Sequence, residues 1–268
     1  FFARRFLFYS RTEAETTDRK VGERQKYHFH ETMTETQYAG TIDWGEYWDG
    51  ADEAVREDTG PSADLVAEPF VEFLDANFRD GPDAYADVGC GPGDLAFEVA
   101  ERYPDTTVVG YDAAEAVLAA NRERAREADR EVAFERAVLP EFDPDRRFDV
   151  VSCLFTLCYV ADIARAIERL YGAVEPGGCL VFNYHNRLAR AHYNRIAEAP
   201  HEHLGEDAVW DPERFTDRFE LVLAGENLLS YERIHEVLGT WPQSVFSLAD
   251  DAEPYAAHRY EPLVYVPK

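Results

Sequence analysis

The chain has 268 residues, of which 46% are hydrophobic, and this fits one α/β domain with appendages around a continuous core. Its 53 acidic and 27 basic side chains give a formal net charge of −26. Such a balance disfavours nucleic-acid binding, because a phosphate backbone is held by clustered positive charge. The longest apolar stretch, residues 150–160, is far shorter than the roughly 20 residues of a membrane-spanning helix, so we predict no membrane segment.

Lysine is scarce, with Lys20, Lys26 and Lys268 as the only examples. An acidic surface that keeps arginine for paired contacts stays hydrated in concentrated salt, which screens its self-repulsion. We interpret the chain as a protein of an extreme halophile. The alternative is an acidic protein of a mesophile, since acidic residues favour solubility in general.

The four cysteines and the histidines show no metal-ligand spacing. We predict no metal site, and we interpret the cysteines as small packing residues of a protein in the reducing cytoplasm. The four are Cys90, Cys153, Cys158 and Cys179.

Residues 1–32 differ in charge from the rest of the chain. They hold seven basic and five acidic side chains, net +2, which leaves 20 basic and 48 acidic side chains, net −28, for residues 33–268. The only methionine, Met33, follows directly. We expect residues 1–32 to be a non-native or disordered extension. The alternative is a genuine N-terminal arm.

In chain order, residues 63–78 repeat apolar side chains at helical spacing, which predicts a helical cap over residues 33–80. Short β-prone runs then alternate with helical patterns, and this alternation predicts a parallel sheet with helices on both faces. The predicted strands are 84–88, 107–111, 132–136, 148–153 and 179–184. The predicted helices are 95–102, 115–128 and 163–174, the last stopped by Pro176-Gly177-Gly178.

Beyond residue 184 the pattern changes. Helices are predicted at 188–199 and 231–238, and β-prone runs at 243–248 and 263–266 are predicted to extend the sheet edge. Residues 187–224, polar and aromatic, are interpreted as a substrate lid inserted into the main domain of residues 81–268; the alternative is a packing insertion. The predicted fold is a doubly wound, mostly parallel sheet with an antiparallel C-terminal strand.

A glycine loop follows the first predicted strand. Gly89 permits a tight turn, and Gly91 and Gly93 let backbone approach a ligand and let the next helix pack on the sheet. A second signal is Asp112, which ends the second strand 19 positions after Gly93. Its carboxylate reaches the same cleft and can accept both hydroxyls of a ribose, so an adenosine ligand is predicted.

Several motifs occur together in a fixed order: Asp87-x-Gly89-x-Gly91-x-Gly93, the acid at Asp112, Phe148-Asp149-Val150-Val151 and Glu175-Pro176-Gly177-Gly178. In this combination the chain resembles the class I S-adenosylmethionine-dependent methyltransferases of the small-molecule type, from residue 84 to residue 184. A dinucleotide loop would place its third glycine one residue later.

The resemblance implies S-adenosylmethionine as cofactor and assigns its contacts. Asp87 and the backbone of Gly89, Cys90, Gly91 and Gly93 would hold the methionine part, Asp112 the ribose and Ala113 the adenine. Cys153 to Phe155 would line the floor below the donor sulfur. Where family members often carry an acid for the adenine amino group, this chain has Ala137-Val138-Leu139, so backbone of Ala137 or Val138, or the side chain of Glu135, would substitute.

Methyl transfer from a sulfonium requires mainly alignment and exclusion of water, and a base only for a hydroxyl or protonated amine. His185, after the fifth strand, is the candidate base or orienting group, with Tyr159 as a second candidate. A surface or capping histidine is the alternative. The aromatic cluster Tyr38, Trp44, Tyr47 and Trp48 is interpreted as core, with Tyr38 and Tyr47 as the candidates for cofactor contact.

These features predict methyl transfer to a small molecule, since no docking module for nucleic acid or protein is present. Two alternatives remain: a non-catalytic cofactor-binding sensor or regulatory subunit, and a nicotinamide-dependent oxidoreductase. The acceptor and the oligomeric state do not follow from the sequence.

Overall fold

The structure is a computed structural model. It describes residues 42–50, 61–204, 210–248 and 258–268, so the predicted extension at 1–32 and the candidate Tyr38 lie outside the described residues. No helix within those ranges is both long enough and apolar enough to cross a bilayer. The strands are β1 (Ala84–Val88), β2 (Thr107–Asp112), β3 (Val132–Arg136), β4 (Phe148–Cys153), β5 (Val174–Asn183), β6 (Gln243–Ser244) and β7 (Leu263–Pro267).

Ten helices lie in the described part of the chain, and two 3₁₀ turns, Leu157–Tyr159 and Val245–Leu248, accompany them. The helices are α1 (Trp44–Gly50), α2 (Pro61–Asn77), α3 (Asp94–Arg102), α4 (Glu115–Glu127), α5 (Ile163–Gly172), α6 (Arg187–Glu198), α7 (Pro200–His203), α8 (Phe215–Arg218), α9 (Glu220–Ala224) and α10 (Tyr231–Leu238).

All seven strands form one sheet in the order β3-β2-β1-β4-β5-β7-β6. Strands β1 to β5 are parallel, and β7 is antiparallel to both of its neighbours. The chain order reverses between β1 and β4, and ligands of open α/β sheets bind outside the carboxyl ends of the strands at such a point. The predicted fold class is confirmed.

Apolar side chains cover both faces of the sheet, as a parallel sheet between helices requires. Ala86 and Val109 face one layer, which α5 and α10 cover, whereas Tyr85 and Val108 face the other, which α2, α3 and α4 cover. Every residue of β1 is buried. A third apolar cluster joins α6, α8 and α9 to the 3₁₀ turn after β4.

Two predictions about the fifth strand were wrong. The helix before it ends at Gly172, and the strand begins at Val174, so Pro176-Gly177-Gly178 lies within β5 instead of preceding it. Phe148 pairs with Val174 but Val150 pairs with Cys179, so the residues between them bulge. The backbone of Lys268, at the end of β7, bonds Gly177 and Gly178 on this bulge (2.9 and 3.0 Å).

The other boundaries lie within a few residues of their predictions, with one exception. The β-prone run 243–248 forms a strand only at Gln243–Ser244 and continues as the 3₁₀ turn Val245–Leu248. Val245 and Phe246 are buried in the layer of α2, so these apolar side chains pack under a helix and are not paired in the sheet.

Candidate active site at the carboxyl ends of β1, β2 and β4

Hydrogen bonds to β2 and to α4 hold the glycine loop after β1 in place. The N–H groups of Gly89 and Cys90 donate to the carbonyl of Tyr111 (2.7 and 3.0 Å). The buried Asn121 side chain donates to the carbonyl of Gly91 (2.8 Å). The loop is therefore rigid before any ligand arrives, which lowers the entropic cost of binding.

Both carboxylate oxygens of Asp112 already accept backbone hydrogen bonds. Gly91 N–H donates to one oxygen (2.9 Å) and Ala114 N–H to the other (3.0 Å). These bonds favour the charged form, but burial outweighs them and raises the pKa of Asp112. Each oxygen keeps a second lone pair, so the carboxylate is oriented and can still accept from a ligand.

Asp87 is more deeply buried, with 4% of its surface exposed. The Ser152 hydroxyl donates to its Oδ1 (2.8 Å) and accepts in turn from the Tyr85 hydroxyl (2.7 Å). The pKa of Asp87 is raised to about 7, chiefly by burial and also by the nearby Asp112 and Asp94 carboxylates, while the Ser152 hydrogen bond acts to lower it. None of the groups that shift the pKa of Asp87 is positively charged.

A cavity opens at this loop, and three carboxylates line it: Asp87, Asp94 and Asp112. The charged forms of two of them are disfavoured by burial, so a cation placed here would relieve that cost. A pyrophosphate would instead meet like charge. The residues present therefore fit a ligand that carries positive charge and a ribose, and they do not fit a dinucleotide.

Most of the predicted cofactor contacts lie on this cavity. The predicted site residues that line the cavity are Asp87, Gly89, Cys90, Gly91, Asp112, Ala113, Ala137, Phe155 and the candidate catalytic residue Tyr159. Those that do not line it are Gly93, Tyr47, Val138, Cys153 and His185.

Each of these placements has a local cause. Gly93 begins α3, and a side chain there would touch Phe134 and Asn121 at 3.0–3.1 Å, so this glycine serves helix packing. Cys153 is fully buried in the sheet, and burial raises its thiol pKa well above the usual range. The N–H of Ala137 donates to the carbonyl of Asp112 (3.0 Å), so it is already used. Glu135 is exposed.

The aromatic cluster contributes through its tryptophans. Trp44 and Trp48 line the cavity, whereas Tyr47, the candidate for contact, packs between their rings, with ring centroids 5.2 and 5.5 Å away. Trp44 also meets Tyr159 edge-on at 4.9 Å. Spacing along α1 predicts that these rings are close together, but only the tertiary structure determines which of them face the cavity.

Phe155, at the floor of the cavity, has a left-handed backbone with φ of 52°. A bulky residue rarely adopts this conformation, and such strain persists only where the surroundings enforce it. The amide side chain of Asn183, 3% exposed at the end of β5, accepts the Phe155 N–H at 2.7 Å. Sequence analysis did not identify Asn183, because its partner is 28 residues away.

Residues 86–180 match the family model described as a methyltransferase domain. This range begins in β1 and ends in β5, and it includes the glycine loop, Asp112 and Phe155. Residues 86–180 are therefore a methyltransferase domain.

Two curated relatives are methyltransferases by name. Trans-aconitate 2-methyltransferase of Methylobacterium radiotolerans is 32% identical over 133 residues, which cover 50% of this chain and 46% of that protein. Ubiquinone biosynthesis O-methyltransferase of Alkalilimnicola ehrlichii is 38% identical over 115 residues, 42% of this chain and 46% of that protein. The chain thus matches about half the length of these relatives.

A solved structure shares the fold over a longer range. The plantazolicin methyltransferase BpumL, crystallised with a monoazolic desmethylPZN analog and SAH, superposes with a TM-score of 0.56. The match covers 84% of this chain and 93% of BpumL at 12% identity. At that identity the likeness concerns the fold alone.

The candidate base His185 is not among the residues that line the cavity. Its Nε2 contacts the Tyr193 hydroxyl (3.0 Å) and the Glu261 carboxylate (2.9 Å), and only 4% of the residue is exposed. Burial acts to raise the pKa of Glu261, but His185 and the Tyr193 hydroxyl bring it below its ordinary value. This network ties β5 and α6 to the segment before β7.

We predict that Asn183→Ala destabilises the methyltransferase domain by about 1–3 kcal/mol, because the partly buried Phe155 N–H loses its acceptor while the left-handed backbone remains strained. Denaturant unfolding measures the change. The matched control is Asn194→Ala, since Asn194 is exposed and bonds only the carbonyl one helical turn before it. Equal stability of the two variants would contradict a role for Asn183 in holding Phe155.

Proposed function

We propose that the protein transfers a methyl group from S-adenosylmethionine to a small-molecule acceptor. The observation that carries the proposal is the pair of buried carboxylates, Asp87 and Asp112, beside a rigid glycine loop at the reversal of strand order. A sulfonium cofactor with an ammonium group and a ribose matches those charges.

In this proposal each lining residue has a defined task. Asp87 accepts from the ammonium group and Asp112 from the ribose hydroxyls, while backbone of the glycine loop approaches the methionine part. Ala113 and Ala137 border the adenine, and the backbone of Val138 is retained as a candidate contact of its amino group although Val138 does not line the cavity. Bound S-adenosylmethionine supplies an electrophilic methyl group. Trp44, Trp48 and Phe155 exclude water and align the acceptor, which are the main requirements of an in-line displacement.

Of the two candidate catalytic groups, Tyr159 lies on the cavity and is retained as an acceptor contact. His185 would reach the cavity only if its pairing with Glu261 opened. We also propose that residues 33–80 are a cap and that residues 187–224 are a lid over the methyltransferase domain. Arg218, on α8 in that lid, supports this assignment because it lines the cavity.

The small-molecule class of the acceptor is supported by the relatives, whose names specify trans-aconitate and an intermediate of ubiquinone biosynthesis. Trans-aconitate is therefore a first compound to test. A net charge of −26 supports the absence of nucleic acid as a partner. Four unpaired, buried cysteines are consistent with a cytoplasmic protein, and a halophilic origin stays a prediction.

The cofactor assignment is tested with Asp112→Ala. We expect SAH, measured by calorimetry in molar salt, to bind at least about tenfold more weakly, because charge-assisted bonds to the ribose are lost. Asp105→Ala is the control, since Asp105 is exposed just before the opposite end of β2. Unchanged affinity in Asp112→Ala would remove the ribose assignment, and tight binding of NAD to the unaltered protein would overturn the cofactor.

Enzyme and sensor are separated by incubating the protein with a small-molecule extract and methyl-labelled S-adenosylmethionine. We expect labelled product. Its persistent absence, despite binding of SAH, would favour the non-catalytic sensor.

A further inference from the structure

Arg218 places a positive charge on the wall of the active-site cavity. Among the described residues that line this cavity it is the one basic side chain, and it joins Asp87, Asp94 and Asp112 there. The chain as a whole carries about two acidic side chains for each basic one, 53 against 27. Arg218 therefore has the opposite sign to the net charge of the protein, so its place on the cavity wall is not a consequence of overall composition.

Neighbouring aromatic groups hold the guanidinium in a defined position. Its Nε donates to the Tyr159 hydroxyl at 2.8 Å. The guanidinium carbon lies 5.6 Å from the Tyr159 ring centroid and 5.9 Å from that of Phe219. These are cation–π distances, and Tyr159 is itself fixed against Trp44. The group is thus pre-organised, which favours recognition of a planar anion.

The guanidinium stays charged in this setting. Burial acts to lower its pKa, but Tyr159 and other neighbours raise the pKa of Arg218 above its ordinary value. The lining of the cavity therefore carries charges of both signs. The three carboxylates surround the glycine loop, where the cationic cofactor is proposed to lie, and the arginine lies on the wall formed by Tyr159 and Trp44.

From this arrangement we infer that the methyl acceptor is an anion, a carboxylic acid whose carboxylate pairs with Arg218. The inference rests on the proposed methyl transfer and adds the acceptor class and a specificity-determining residue. A carboxylate accepts two parallel hydrogen bonds from a guanidinium, which gives orientation as well as affinity. The aromatic rings around Arg218 provide apolar contact for the rest of the acceptor.

The test separates acceptors by charge. A small-molecule extract of the source cells is divided by anion exchange into a retained anionic pool and a neutral and cationic flow-through. Each pool is incubated with the full-length protein and methyl-labelled S-adenosylmethionine in high salt. We expect label in products of the anionic pool. Label found only in the flow-through pool would overturn the inference.

Substitutions then test Arg218 directly. Arg218→Gln should raise the amount of anionic pool needed for half-maximal labelling at least about tenfold, whereas Arg218→Lys keeps the charge and should show a smaller increase. The affinity for SAH should change less than about twofold, and this also reports that each variant is folded. Arg214→Gln is the matched control, an exposed arginine that precedes the same short helix.

Half-maximal labelling by Arg218→Gln at the same amount of pool as the unaltered protein would overturn the role of Arg218. Failure of the proposed function looks different. Binding of SAH without label in either pool would overturn methyl transfer and, with it, the acceptor class.

Discussion

Asp87→Asn is expected to stabilise the ligand-free protein while it removes most of its affinity for SAH. The carboxylate is buried, and the pKa of Asp87 is raised from its ordinary value of 3.8 to about 7. In the ligand-free fold above that pH, the charged form carries a desolvation cost that a neutral amide does not. The Ser152 hydroxyl can still donate to the amide oxygen, so the substitution keeps its hydrogen bond.

The direction of the pH dependence follows from the raised pKa. A carboxyl group whose pKa is higher in the folded state binds its proton more tightly there, so its contribution to stability is complete below 3.8 and is lost as the pH rises through about 7. The advantage of Asp87→Asn should therefore grow between these values and become constant above them. At pH about 8 we expect a melting temperature higher by a few degrees.

Binding should change in the opposite sense. The positive ammonium group of the cofactor loses its charged partner in a buried site, and we expect SAH affinity to fall at least about 100-fold. Melting curves from pH about 4 to 8 and calorimetry at the upper value measure both effects. The control is Asp83→Asn, at the opposite, exposed end of β1, which should leave both unchanged. SAH affinity equal to that of the unaltered protein would place the ammonium group elsewhere.

The second large effect is expected for Gly89→Ala. Gly89 has φ of 78°, and a Cβ atom built there would lie 2.1 Å from the Thr156 Oγ1 and 2.8 Å from its Cβ. The Thr156 side chain cannot move away easily, because its Oγ1 donates to the carbonyl of Leu154 (3.0 Å) and its backbone precedes the 3₁₀ turn. Backbone strain and overlap together should cost about 3 kcal/mol or more.

Gly177→Ala separates strain from overlap. Gly177 also has a positive φ, 95°, but nothing lies within 4 Å of a Cβ atom there. It should lose only about 1–2 kcal/mol, the cost of the backbone conformation. Denaturant unfolding of both variants under the same salt conditions gives the difference. Equal unfolding midpoints would show that Thr156 does not constrain the glycine loop.

Local pattern was sufficient to predict the order of strands and helices from β1 to β4. Each of these strands is a short apolar run between turn residues, and the acids Asp87 and Asp112 lie where strands end. Because the carboxyl ends of parallel strands meet at one edge, sequence order alone brings these two side chains to the same cleft. The adenosine ligand could therefore be predicted from these residues, and the resemblance to the methyltransferases implied the cofactor class.

The start of β5 could not be predicted in the same way. Pro176-Gly177-Gly178 is typical of a chain turn, and this region extends the strand because the end of β7 bonds its bulge. Partners from the far end of the chain override the local preference at such positions. The strand predicted at 243–248 was wrong for a related reason. Apolar residues are needed both for burial under a helix and for pairing in a sheet, so the apolar run does not distinguish the two.

The sequence by itself thus determined the fold class, the glycine loop and the acids that approach it, since these depend on residues close together in the chain. Only the tertiary structure decided that Trp44 and Trp48 face the cavity, that Asn183 holds Phe155, and that His185 pairs with Glu261 and does not line the cavity. It also placed Arg218 beside Tyr159, 59 positions away. Such pairs are made by packing between distant segments, which leave no periodic signal in the chain.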